Sequence, residues 1–228
     1  MGHKRRSRFY NRRMPKSWKG RLVVGAICTL LSLPLLAKNF MKPVAQPART
    51  YPAHDDHPED KLAMAADPYD NPEKAKLFSI NFAEHGFLPV FFVVTNDGDQ
   101  PVSMANVEIT LITRNHSKLT PLSTEDLYRR MTNPQAQTRP SPIPIPRKSV
   151  KGTMSQKEQD EIEMSQFEAR AVEPHSTQSG FLFFDVGGIS APLAEANLDI
   201  TGVADAKGNE LLYFEIPMQK YLSATRKR

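Results

Sequence analysis

Hydrophobic positions along this chain change their period several times, and each change marks an element or a boundary. Leu22 to Ala37 (LVVGAICTLLSLPLLA) runs sixteen residues without a charge. Behind a basic flank, such a run predicts a secretory signal or a membrane anchor. Lys76–Ala83 (KLFSINFA) alternates, with Phe78, Ile80 and Phe82 on one side, the pattern of a half-buried strand. Phe87–Thr95 (FLPVFFVVT) is apolar throughout, which suits a strand covered on both faces. Asn96–Asp99 follows as a turn, and Ala105–Arg114 alternates again with Val107, Ile109 and Leu111 inward. Gly180–Val186, Ala196–Val203 and Glu210–Pro217 have the same strand character, the last two joined by a hairpin connection over 204–209.

Two stretches carry helix signals instead. Ser123 or Thr124 caps a short helix to about Met131, with Glu125 and Asp126 in its first turn and Arg129 and Arg130 in its last. Those charges complement the helix dipole at both ends. Ser155 and Glu158 form a capping box for a second helix reaching about Ala171. In it Lys157 and Glu161 are spaced for an ion pair. Ile162, Phe167 and Ala171 make a packing stripe, and the acidic run makes a solvated face. Between the helices, residues 132–150 hold Pro134, Pro140, Pro142, Pro144 and Pro146, so PSPIPIP is expected to run extended, near polyproline II. Strands, then helices, then strands predict a mainly β chain. Its architecture is an antiparallel β-sandwich with a helical, Pro-rich insertion, preceded by an N-terminal apolar helix.

The boundaries follow. Residues 1–21 are a basic cytoplasmic segment and 22–41 a signal anchor or signal peptide. Residues 42–73 are a Pro-rich linker, 74–222 the β-sandwich domain and 223–228 a basic tail. Pro43, Pro47, Pro52, Pro58, Pro68 and Pro72 make the linker extended and semi-rigid. Positive charge before the apolar run keeps that end cytoplasmic and sends the C-terminal part across. Ala37 meets only one of the two small-residue positions of a cleavage site, which favours an uncleaved single-pass anchor with the domain periplasmic. Cleavage and secretion to the periplasm is the alternative.

Charge changes the picture once it is divided. The whole chain carries +5, which suggests an acidic partner. Residues 1–21 hold nine Lys or Arg and no acid, and taking those nine from +5 leaves −4 for residues 22–228. The exported part is mildly acidic, so nucleic acid is not an expected partner. The basic flank faces anionic headgroups or simply sets topology. The only cysteine, Cys28, lies in the apolar run, leaving the domain without disulfide, thiolate metal site or Cys nucleophile.

Candidate chemistry is thin. His54-Asp55-Asp56-His57-Pro58-Glu59-Asp60 offers two imidazoles and four carboxylates, all competent divalent-metal ligands. A Pro-rich linker does not pre-orient them, so a solvated linker is the expectation. His85, His116 and His175, the last beside Ser176-Thr177-Gln178-Ser179, are the raw material of a hydrolase. No G-x-S-x-G, H-E-x-x-H, Walker loop or G-x-G-x-x-G accompanies them. No catalytic, cofactor-binding or metal residue is assigned, and no cofactor is expected.

The block Phe78–Asn106 (FSINFAEHGFLPVFFVVTNDGDQPVSMAN), with PHSTQSGFLFFDV at 174–186 and DAKGNELLYFEIP at 205–217, carries a resemblance. The first block resembles a strand pair of immunoglobulin-like domains in bacterial envelope proteins. Together the three resemble an uncharacterised, acidobacterial-type family of exported bacterial proteins, over roughly residues 68–222. That resemblance implies an immunoglobulin-like sandwich and brings no activity or functional residues with it. The expected function is a membrane-tethered or secreted, non-catalytic envelope binding domain whose partner is an envelope protein or glycan. Two alternatives stay open: an exported hydrolase, and an assembly factor that recruits partners through the Pro-rich loop.

Overall fold

A computed structural model describes residues 40–132, 154–211 and 213–226. Residues 1–39, with most of the expected anchor, and residues 133–150 of the Pro-rich insertion lie outside the described residues. The first sheet has the order β1 (His54–His57), β2 (Leu62–Pro68), β3 (Phe87–Asn96), β8 (Ser176–Asp185). The second runs β10 (Phe214–Pro217), β9 (Asn197–Thr201), β5 (Glu108–Ile112), β6 (Lys118–Leu119). β4 (Val102–Ser103) pairs with β7 (Ala171–Val172), and every strand pair is antiparallel. The chain is mainly β, as its periodicity predicts.

Side chains alternate across the first sheet, and both of its faces are covered. Met64, Val90, Phe92, Val94 and Phe184 pack with Leu111, Leu198, Ile200, Phe214 and Ile216 of the second sheet, closing a β-sandwich. On the other face Ala63, Ala65, Phe91, Phe181 and Phe183 pack under a third layer. That layer contains Phe78, Ile80 and Phe82, together with Leu127 of helix α2 (Thr124–Thr132) and Ile162 of helix α3 (Gln156–Ser165). All ten residues of β3 are buried in consequence, which is why its run carries no alternation. Phe91, Phe92, Phe181, Phe183 and Phe184, all on β3 and β8, are among the largest fully buried side chains. Each contributes about 1.5–3 kcal/mol relative to exposure, so this strand pair is the energetic centre.

Residues 42–73 are not a linker, and this corrects the sequence reading. They supply an edge strand and a sheet-interior strand, and Leu62 to Ala66 are at most 1% exposed. Alanine is a weak strand former; β2 is a strand because β1 and β3 flank it in register. The prolines stand where proline is tolerated: Pro68 at a strand end and Pro72 at the first turn of helix α1 (Pro72–Ala75). The folded unit therefore begins near residue 40 rather than 74.

Lys76–Ala83 is a second correction. Phe78, Ile80 and Phe82 are buried as their spacing requires, at 8%, 6% and 3% exposure, yet they form no strand. Asn71 caps α1 immediately before them, and a 3-10 turn over Phe82–His85 closes on Gly86 at φ +77°. Both edges of β3 are already taken by β2 and β8, so the segment buries its apolar side chains without a ladder.

The helix at Ser155 has its capping box, with the reciprocal Ser155–Glu158 bonds present. It stops at Gln166 instead of Ala171, because there the chain turns extended and crosses β8, Phe167 N–H donating to the Phe181 carbonyl at 3.1 Å. Phe167 leaves the expected helix stripe and packs edge-on against Phe92, 5.0 Å between centroids. Only glycine fits beneath this crossing: a Cβ on Gly180 would lie 2.4 Å from Phe167 Cα. Glu161 is not part of a solvated face and makes no pair with Lys157; it is 1% exposed. Helix α4 (Met218–Thr225), which no periodicity announced, buries Met218 and Tyr221 and runs on past Leu222, the expected end of the domain, into the expected tail.

Candidate functional site

Asn71 and Pro72, at the start of α1, line one side of a concavity. The Asn71 carboxamide oxygen accepts from Lys74 N–H at 2.9 Å, and Pro72 supplies a pre-set φ at the start of the turn. The chain then folds back through Phe78–Phe82, leaving a cleft of about 540 Å³ against Tyr69 and Pro89. Its walls are Tyr69, Pro72, Ala75, Phe78, Ile80 and Phe82, and its polar groups are Asp70, Asn71, Lys76, Ser79 and Asn81. Aromatic packing makes the wall rigid: Phe78 meets Phe82 edge-on at 5.0 Å and Phe181 at 4.8 Å. From behind, Ser79 N–H and hydroxyl both donate to Glu161 of α3, at 2.8 and 2.5 Å.

A second cleft, about 370 Å³, lies on the other side of Asn71, between Tyr51, Asp67, Lys74 and Tyr221. The Lys74 ammonium donates to Asp67 at 2.5 Å and to the Pro68 carbonyl at 3.1 Å. It also lies 5.3 Å from the Tyr69 ring centre and 4.7 Å from that of Tyr221, cation–π geometry in both cases. Tyr221 hydroxyl donates to Asp70 at 2.5 Å. Burial, then the Asp70 carboxylate, push the Tyr221 phenol well above its ordinary value; burial, then Asp67, do the same for Tyr69. Both phenols stay protonated at physiological pH, so neither is a base.

Lys74 pairs with Asp67 within the second cleft; on the larger cleft Lys76 meets Glu73 at 2.7 Å on the exposed surface, and the Asp70 carboxylate has only the neutral Tyr221 hydroxyl as its partner. The larger cleft thus presents an apolar, aromatic wall beside two amides, a hydroxyl and the charged Asp70 and Lys76, the mix of apolar lining with a few polar groups that ligand sites carry.

The residues singled out from sequence lie elsewhere. His54–His57 is strand β1, half-buried, and its side chains are occupied. His54 Nδ1 is 2.6 Å from the Tyr51 carbonyl, Asp55 accepts Glu215 N–H at 2.9 Å, and Asp56 pairs with Arg49 at 2.9 Å. His57 stacks on Phe214 with centroids 3.8 Å apart, its ring nitrogens 3.4 Å from Asp55 and 3.6 Å from Asp60. The cluster joins the β1 and β10 edges. Among the described residues no three His, Cys, Asp or Glu side chains converge as a metal site. His85, His116 and His175 stand on three separate turns. His175 pairs with Asp99 at 3.2 Å, while the neighbouring Ser176 hydroxyl donates to the Glu173 carbonyl, so the two make no nucleophile–base pair.

Sequence reading missed Tyr69, Lys74, Glu161 and Tyr221. Asn-Pro-Glu at 71–73 is a legible helix start, with a capping side chain, proline at the first position and an acid in the first turn. Nothing local announces the other contacts, which span 82 residues for Glu161–Ser79 and 151 for Tyr221–Asp70. No protein-family model, curated protein or solved structure matches this chain.

Proposed function

We propose that this chain is a non-catalytic binding module of a bacterial envelope, anchored through residues 22–41 and carrying an immunoglobulin-like sandwich on the periplasmic side. The observation that carries the binding reading is the Tyr69–Phe78–Phe82 cleft, an apolar, aromatic wall with a few polar groups beside it, Asp70 and Lys76 among them. Its ligand is an envelope protein or glycan. The location rests on the basic flank and the uncharged run that follows it. Among the described residues no helix is long and apolar enough to cross a membrane.

A C-terminally tagged chain tests both halves. Protease should remove the tag only after the outer membrane is permeabilised, and the same partner should be recovered in repeated pull-downs. Ala83→Trp, which fills the cleft from an exposed position, should lose that partner while leaving the melting curve unchanged. A tag protected even in permeabilised cells overturns the location. A partner retained by Ala83→Trp overturns the role of the cleft.

A further inference from the structure

Asp67 and Asp70 stand close together in the chain and are met differently. Asp67, whose side chain is 18% exposed, has the Lys74 ammonium at 2.5 Å. The Pro68 carbonyl and the rings of Tyr69 and Tyr221 complete that cation's surroundings. Asp70 is exposed on the larger cleft, and it accepts a hydrogen bond from the Tyr221 hydroxyl at 2.5 Å. That bond holds the carboxylate in place without neutralising it. Among the described residues no cation pairs with Asp70: Lys76, which also lines the cleft, meets Glu73 at 2.7 Å instead. An apolar, aromatic hollow thus carries beside it a fixed negative charge whose second oxygen accepts no hydrogen bond from the described residues.

The wall favours a protein over a glycan. Phe78, Ile80 and Phe82 are 8%, 6% and 3% exposed. Phe40 stacks on Phe78 at 5.5 Å, and Phe82 and Phe181 meet it edge-on. These rings are packed within the fold rather than laid open for a sugar to stack on. A concave apolar surface beside Ser79 and Asn81 suits an alkyl or aryl side chain with its backbone attached. We propose that the cleft takes a segment of a partner protein that sets an apolar side chain against Tyr69, Ile80 and Phe82 and a neighbouring lysine or arginine on Asp70. Charge complementarity selects this occupant. This rests on the reading of the cleft as a binding site.

The test uses the full chain in non-ionic detergent and three sets of spotted probes. The first is blocked hexapeptides built from Leu, Phe, Gly and Lys in all orders, the second the same set with Gln for every Lys, and the third an array of bacterial envelope glycans. Lys peptides are expected to bind about fivefold more tightly than their Gln counterparts, a preference that weakens as salt is raised. Asp70→Asn keeps an acceptor for the Tyr221 hydroxyl, so it should leave the melting curve unchanged and remove the Lys preference. Ala83→Trp should abolish peptide binding altogether. Gln peptides bound as tightly as Lys peptides, or a Lys preference that survives Asp70→Asn, overturn the cation contact and leave the cleft a binding site. Glycan spots bound in place of peptides, and lost with Ala83→Trp, overturn the choice of a protein. Binding that Ala83→Trp leaves intact, or no binding to any probe, overturns the cleft as a site, and this proposal with it.

Discussion

Glu161 on α3 accepts two hydrogen bonds from Ser79, 82 residues earlier in the chain, and so fastens the helical layer to the wall of the cleft. The carboxylate is 1% exposed, where an unpaired charge would be costly. The two donors offset that cost and fix the backbone between Phe78 and Ile80, both buried beneath the helices.

Glu161→Ala should lower stability by about 2–4 kcal/mol, since it removes both charge-assisted bonds and leaves Ser79 N–H unmatched. Ser79→Ala should cost less, about 1–2 kcal/mol, because the N–H bond survives. Urea denaturation of both variants checks the order. Equal midpoints for Glu161→Ala and the parent chain would remove the latch.

Gly180→Ala should be among the most damaging single-methyl changes in the protein. The new Cβ meets Phe167 Cα at 2.4 Å and the Gln166 carbonyl oxygen at 2.5 Å, and backbone atoms cannot swing aside as a flexible side chain would. A loss of about 3 kcal/mol or more is expected, read as a fall in thermal midpoint. Ala206→Gly, in the exposed hairpin, serves as a near-neutral control.

A chain cut to begin at residue 40 should fold, and one cut to begin at 74 should not. The second cut removes β1 and β2, exposes one edge of β3 over seven paired residues and strips Leu62 and Met64 from the sandwich core. Far-ultraviolet circular dichroism and a cooperative melt separate the outcomes. A cooperative melt from the 74–228 chain would restore the linker.

Asp199 on β9 sits directly across from Glu215 on β10, and one of its carboxylate oxygens is buried without a hydrogen-bond partner. Burial first, then the Glu215 charge, raise its pKa above the ordinary carboxylate range. A raised acid binds its proton more tightly in the folded than in the unfolded state, so stability falls as pH rises from the ordinary value through the folded one. Asp199→Asn should therefore raise the melting temperature at pH 7 and change it little at pH 3, where the carboxyl is protonated in both states. A larger gain at pH 3 than at pH 7 would reverse the assignment.

Local signals determined the parts of this protein that depend on neighbours in sequence. The unbroken apolar run of β3 announced a strand covered on both faces, and Ser155 with Glu158 announced a helix start. The charges of Glu125–Arg130 announced another helix. What only the tertiary structure decided depends on groups far apart in the chain. Ala63–Ala66 has no strand propensity of its own and becomes a strand between β1 and β3. Phe78, Ile80 and Phe82 satisfy the same burial pattern whether or not a ladder is available, and the edges they would need were already occupied. Phe167 ends a helix early because Gly180 leaves room for a chain to cross. The cleft, likewise, exists only where α1, the Phe78–Phe82 return and Glu161 meet. Burial demand is written into sequence spacing; which backbone partner meets it is settled by register and by space, and those are properties of the assembled layers.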